Sequence, residues 1–406
     1  MFQNYDRRRF LRLGAACGAA VLAPRTPYAW AADADASDLV AGKNGRLIVH
    51  NTKVLELETP LELLRDQKLS PKSLLFMRNN QELAGSRTIQ SSKSDEWQFD
   101  IAGMIENPRT VKLETLREMD QTEVEMVLQC SGNGRAHFST AAAVKGSPWK
   151  EGAVGNVRFS GVPLKALFDS LALGLAPDAH YLTAEGKDGP PKPDDSDFEH
   201  SIPLADALTR SLVALKLNGE PIPAVHGGPV RLVTPGYYGT MQIKWLSRLR
   251  LETRETFNHH QRRRYRTPHE PIAPGSDFTY DFDNSDANWR MLIKSIIFEP
   301  LDGEKVKPGN VAVRGVAFND GEAKVDTVEV STDDGRTWQR TQMERPDSPY
   351  AWYRWSTKLS LNKGRHRIMA RAIDALGRSQ PLDGTIAWNP AGYGWNGVQR
   401  VEVEVG

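Results

Sequence analysis

Gln129-Cys130-Ser131-Gly132-Asn133-Gly134-Arg135 decides how the rest of the chain reads. A β-forming run, Val124 to Gln129, delivers the cysteine into a loop of small residues. Gly132 and Gly134 let the backbone approach something bulky or take a positive φ. Arg135 brings a fixed positive charge near the thiol, which favours thiolate, a soft donor suited to transition metals. One cysteine cannot build a zinc or iron–sulfur centre, each of which needs several ligands. A metal held here would take its other ligands from a cofactor.

The only other cysteine is Cys17. It lies in a leader-like stretch, so residues 1–31 matter next. Arg7-Arg8-Arg9-Phe10-Leu11-Arg12 has the twin-arginine pattern, Leu13 to Ala23 is a short apolar run, and Ala29-Trp30-Ala31 offers a cleavage site. This predicts export of a folded protein to a periplasm, often with its cofactor already inserted. Without the leader, 47 basic residues face 50 acidic ones. That balance argues against a nucleic-acid partner. One remaining cysteine excludes an internal disulfide framework. No later stretch approaches a membrane span.

Outward from the cysteine, strand-like runs appear at Arg46 to His50, Trp97 to Ile101, Val111 to Leu113, Val230 to Val233 and Ile243 to Leu251. Helical spacing predicts helices over Thr59 to Gln67 and Pro163 to Leu173. Residues 186–198 read as loop, and residues 266–289 as an inter-domain connection. From about 290, seven short β-rich runs recur roughly every 12 residues, with Asp333-Asp334-Gly335 as a hairpin turn. The expected fold class is α+β: a mixed, β-rich catalytic domain over 32–289, then an all-β immunoglobulin-like sandwich over 290–406.

Several separated motifs, in order, resemble the sulfite oxidase family of molybdenum enzymes. Cys130-Ser131-Gly132-Asn133-Gly134-Arg135 is similar to the Cys-x-Gly-Asn-x-Arg loop that binds molybdenum, with one pyranopterin dithiolene (molybdopterin) completing the sulfur ligands. The resemblance implies that Cys130 is the metal ligand, that Arg135 and Arg78 face an anionic substrate, and that Trp149 lines the pocket. Phe76, Arg78 and Asn79 would hold the cofactor. Asn80 stands where many members have histidine. Asp188 would contact the pterin, and His226 and Arg231 its phosphate. Gln242, Ile243 and Lys244 resemble the next pterin-binding stretch, and Tyr265 the active-site tyrosine. A further pocket arginine would come from the sandwich; Arg354 is the candidate.

The implied function is a periplasmic sulfite dehydrogenase, a homodimer that passes electrons to an external c-type cytochrome. No Cys-x-x-Cys-His haem motif is present to carry them internally. A sulfane dehydrogenase subunit of a thiosulfate-oxidising system, or a non-enzymatic periplasmic binding module, remains as an alternative.

Overall fold

The computed structural model describes residues 35–80, 95–189, 197–382 and 386–406. The leader-like residues 1–31 and part of the 186–198 loop lie outside these.

The strand Thr122–Gln129 passes from exposed to fully buried along its length and ends at Cys130. It pairs antiparallel with Val154–Pro163, which pairs with Leu212–Leu217; Glu220–Pro221 and Arg231–Val233 complete the sheet. A second five-stranded sheet is mixed. Leu246–Glu252 lies at its centre, parallel to Gln98–Gly103 and antiparallel to Tyr181–Gly186; Arg109–Lys112 and Glu199–Pro203 form the edges. The helices Leu164–Leu171 and Leu204–Arg210 each start directly after a proline, which suits the first helical turn. Leu164, Leu167 and Phe168 turn one apolar stripe into the core between these sheets.

The carboxyl-terminal residues form two facing antiparallel sheets. One runs Lys294–Glu299, Gly309–Phe318, Tyr353–Leu361, Gln342–Glu344. The other runs Lys305–Val306, Gln399–Val405, Gly364–Asp374, Val325–Ser331, Gln339–Arg340, with its first pairing parallel. Val313, Val328, Trp355, Ile368 and Val401 fill the space between. Asp334 and Gly335 both take positive φ, as a tight hairpin turn requires. The sandwich expected from the repeat of β-rich runs is therefore the fold observed.

Two expectations differ. Thr59 to Gln67 forms only a 3₁₀ turn over Leu61–Leu63, because Leu64 leaves for a separate core that it shares with Phe298 and Trp352. The stretch 266–289 is not plain linker: Arg266–Pro268 and Ser285–Ala287 pair as a small sheet.

That separate core positions the site. Val127 and Val154, from the cysteine-bearing sheet, pack against Ile296, Phe298, Val316 and Phe318 of the sandwich. Val127 N–H also donates to Tyr350 C=O at 2.8 Å. The sandwich is thereby braced against the strand that carries Cys130. No helix among the described residues is long and apolar enough to cross a membrane.

Candidate active site

Cys130 lines a narrow cleft with about 70 Å³ of space for water-sized groups. Its loop is tightly specified. Cys130 N–H donates to Ala153 C=O at 3.0 Å, and Asn133 N–H donates back to Cys130 C=O at 3.0 Å. Asn133 Oδ1 accepts from Ala153 N–H, while its Nδ2 reaches Gln129 Oε1. Gly132 N–H points at the sulfur, 3.4 Å away. Gly134 has φ +89° and a Cβ there would meet the Trp395 ring at 2.4 Å, so only glycine fits. Burial pushes the Cys130 thiol up, against the pull of Arg135 and Arg78. Desolvation thus opposes the thiolate character that Arg135 favours. A bound cation would reverse it by deprotonating the thiol outright.

The segment Phe76–Asn80 forms one wall. It is pinned where Leu57 and Met77 exchange backbone hydrogen bonds of 3.0 and 2.9 Å. Arg78 Nε lies 3.2 Å from Glu56 Oε1, and Arg78 Nη2 donates to Tyr265 Oη at 3.1 Å. Tyr265 Oη in turn donates to Asn80 Oδ1 at 2.9 Å. Burial opposes the Arg78 charge, but Tyr265, Glu56 and Cys130 outweigh it and hold the guanidinium protonated. Tyr265 has φ +53°, an unfavourable conformation for tyrosine and a common signature of a functional position.

At the far end, four basic groups converge. Lys43 Nζ donates to Lys72 and Leu75 carbonyls, both at 2.6 Å, and to His226 Nε2 at 2.8 Å. Arg231 bonds the His226 and Gln242 carbonyls. Lys244 bonds Arg78 C=O at 3.2 Å and Asn79 Oδ1. Burial brings Lys43 down to about 7 and Arg231 to about 10. His226 is held well below its ordinary range by burial and by Lys43, Lys244 and Arg231, so it stays neutral. Burial pushes Asp188 up and Lys244 down, and each pulls the other back toward charge.

This chemistry fits the predicted cofactor. Among the described residues, buried Asp188 Oδ2, Arg231 Nε and Gln242 Oε1 have no hydrogen-bond partner. Unsatisfied buried polar atoms are costly and call for a ligand or water. A polar heterocycle with an anionic tail supplies both what these atoms lack and what the four basic groups attract. A soft thiolate at the other end suits molybdenum.

Ten of the thirteen expected residues therefore meet around one cleft: Phe76, Arg78, Asn79, Cys130, Asp188, His226, Arg231, Gln242, Lys244 and Tyr265. Three do not line it. Arg135 lies behind the cysteine loop; a Cβ on Gly132 would sit 2.4 Å from its Nη2. Its Nε and Nη1 donate to the Ala391 and Ser147 carbonyls at 2.9 and 3.0 Å, and no carboxylate among the described residues pairs with it. Trp149 is wholly buried, edge-on to Phe76 and His50, so Phe76 is the ring that reaches the cleft. Ile243 belongs to the core; its carbonyl accepts from Leu232 N–H. Arg354 lines other clefts, beside Glu344, and does not supply the sandwich's contribution.

That contribution is the segment Asn389–Trp395. Tyr393 lies with its ring 5.4 Å from the Arg135 guanidinium and 4.9 Å from the Tyr265 ring. Sequence reading missed Tyr393, as it missed Lys43 and Glu56. The Gly392-Tyr393-Gly394 triplet was the one available signal, since flanking glycines mark a close backbone approach.

Comparison with known proteins shows the family and the fold. Residues 86–260 match the oxidoreductase molybdopterin-binding domain, and residues 285–406 match the Mo-co oxidoreductase dimerisation domain. Mitochondrial sulfite oxidase of Homo sapiens is 31% identical over 370 residues, covering 88% of this chain and 66% of that protein. The mitochondrial enzyme of Mus musculus is 30% identical over 94% of this chain and 69% of its own length. Sulfite oxidase of Gallus gallus is 30% identical over 88% of this chain and 78% of its own length. The chain thus spans just under two thirds of the human protein's length and somewhat more of the other two. Among solved structures, the sulfane dehydrogenase SoxCD from Paracoccus pantotrophus superposes with a TM-score of 0.73. It is 24% identical, over 87% of this chain and 85% of that one, a likeness of fold.

Proposed function

The chain belongs to the sulfite oxidase family of molybdenum oxidoreductases, and from that premise we propose that it is a periplasmic sulfite dehydrogenase. Its cofactor is molybdenum–molybdopterin, and family membership sets aside the binding-module alternative. When bound, the cofactor supplies the two-electron redox chemistry.

The observation that carries the substrate reading is the company Cys130 keeps. Arg78 and Arg135 both exert their charge on its sulfur, and Tyr265 is hydrogen-bonded to Arg78 in the same cleft. Planar guanidinium forks match the oxygens of a small oxyanion and keep their charge at any working pH. Arg78, which lines the cleft, would bind and orient sulfite beside Cys130, and Arg135, behind the cysteine loop, would add its positive charge to that end of the cleft. Tyr265 Oη, which accepts from Arg78, would hydrogen-bond the reacting oxygen by turning its single proton away from Asn80 Oδ1. Phe76, backed by Trp149, keeps that wall dry, which strengthens the guanidinium electrostatics. Sulfite and water become sulfate, two protons and two electrons. Cys130 and the basic cluster of Lys43, His226, Arg231 and Lys244 hold the cofactor.

The twin-arginine-like leader supports export, and the electrons would pass to a carrier such as a c-type cytochrome. The dimerisation domain supports a homodimer.

The test is anaerobic reduction of ferricyanide or cytochrome c by protein matured in a cofactor-competent host. Sulfite should drive it, and thiosulfate and nitrate should be inert. Reduction by sulfane sulfur but not sulfite would transfer the reading to a sulfane dehydrogenase. No reduction by sulfite from molybdenum-loaded protein would overturn it.

A further inference from the structure

Three ionisable side chains behind the cysteine loop have no place in the chemistry above. His137, on the short helix Arg135–Phe138, places Nε2 2.8 Å from Glu151 Oε1. The other oxygen of Glu151, Oε2, lies 2.7 Å from Lys294 Nζ. The Glu151 and Lys294 side chains are only 6% and 2% exposed. Lys294 opens the first strand of the sandwich, and its Nζ also donates to Trp395 C=O at 3.3 Å. The Trp395 indole stacks on the His137 ring at 5.0 Å with 26° between planes, and Phe138 meets it edge-on. The contacts close a ring: cysteine-loop helix, Glu151, sandwich strand, carboxyl-terminal segment, and back to the helix.

Burying such groups costs several kcal/mol per ion, and packed apolar residues often serve stability as well or better. Burial alone would raise the Glu151 carboxyl, yet Lys294 and His137 bring it down to about 2, so it is ionised at any physiological pH. An arrangement this costly specifies geometry. The geometry it specifies is that of Asn389–Trp395, which holds Arg135. Gly394 N–H donates to Ser131 C=O at 2.9 Å, and Ala391 C=O accepts from Arg135 Nε at 2.9 Å. A Cβ on Gly392 would sit 2.4 Å from Arg135 Cγ. Trp395, tied to Lys294 on one side and His137 on the other, fixes the end of that grip.

We propose that Lys294, Glu151 and His137 form a positioning triad through which the sandwich sets the Arg135 guanidinium, and with it the affinity of the Cys130 cleft for its oxyanion. The proposal rests on the oxyanion reading given above. None of the three touches substrate or cofactor, so they are positioning residues. The sandwich is then a working part of the catalytic site as well as a dimerisation module.

The experiment compares Glu151→Gln, Arg135→Gln and the double variant, each as full-length, molybdenum-loaded protein. Two quantities are read: the sulfite KM and kcat, and the sulfate concentration giving half-maximal thermal stabilisation. Glu151→Gln should raise KM and the sulfate midpoint together by about tenfold, the scale of one displaced charge-assisted hydrogen bond, with kcat and metal content little changed. The double variant should be no worse than Arg135→Gln, because both changes act through the same guanidinium. Unchanged KM and midpoint in Glu151→Gln, or losses that simply multiply in the double variant, would overturn the triad. If Glu151→Gln does not fold, His137→Gln at the half-exposed end of the triad carries the same comparison. Failure of the unaltered protein to oxidise sulfite or to be stabilised by sulfate would instead sink the oxyanion reading itself.

Discussion

The two ends of the cleft are both cationic, and they hold their charge differently. At the anchoring end burial moves Lys43 and Lys244 toward neutrality, and burial together with Lys43, Lys244 and Arg231 keeps His226 neutral. At the Cys130 end Arg78 keeps its charge despite burial, with the Glu56 carboxylate 3.2 Å from its Nε. The first end carries charge that an arriving anion can restore. The second carries charge that does not depend on pH. A permanent ligand can supply the compensation its site needs, because it stays. A substrate that comes and goes needs a site already charged when it arrives.

The comparison breaks first at the guanidiniums. Arg135→Gln should raise the sulfite KM by about 10- to 100-fold, the equivalent of roughly 1.5–3 kcal/mol for a hydrogen bond to a charged partner, with kcat reduced less. An unchanged KM in steady-state assays would remove Arg135 from the site.

Gly132→Ala probes the same group more gently. The added Cβ would fall 2.4 Å from Arg135 Nη2, the far end of a flexible side chain. The guanidinium should move at small cost to folding, so KM rises several-fold while the melting temperature changes little. A large loss of stability with normal KM would show that the glycine serves the loop and not the arginine.

The smallest effect is a pH slope at the anchoring end. Lys43 binds its proton below about 7 in the folded chain, against 10.5 as its ordinary value. Between those values the unfolded chain holds more protons, so the cofactor-free protein gains stability as pH rises from 7 toward 10.5. Calorimetry of cofactor-free protein should show that rise, and Lys43→Met should flatten it. Bound cofactor should also weaken it, because an anion beside Lys43 favours its protonated form. A slope identical in Lys43→Met would place its origin elsewhere.

How much of this was legible depended on whether a signal was local. The sandwich announced itself because its strands alternate: Gln399–Val405 puts Val401, Val403 and Val405 inward and Glu402 and Glu404 outward. The strands Val154–Pro163 and Glu199–Pro203 are buried on nearly every residue, leave no alternation to read, and went unassigned. The cleft was legible wherever a motif carried it, as at Cys130, His226 to Arg231 and Gln242 to Lys244. Glu56, Lys43 and Tyr393 come from distant segments with ordinary neighbours, and only the fold brings them against the lining residues Arg78, His226 and Tyr265. Trp149 was misplaced for the converse reason: sequence names a tryptophan but not the phenylalanine standing in front of it.

The central claim is that Cys130 ligates the molybdenum, and X-ray absorption at the molybdenum edge addresses it directly. Protein matured in a cofactor-competent host should contain about one molybdenum per chain, and Cys130→Ser should lose one sulfur from the metal's ligand shell and fall to background turnover. A sulfur shell unchanged by that substitution, or native protein without molybdenum, would contradict the account.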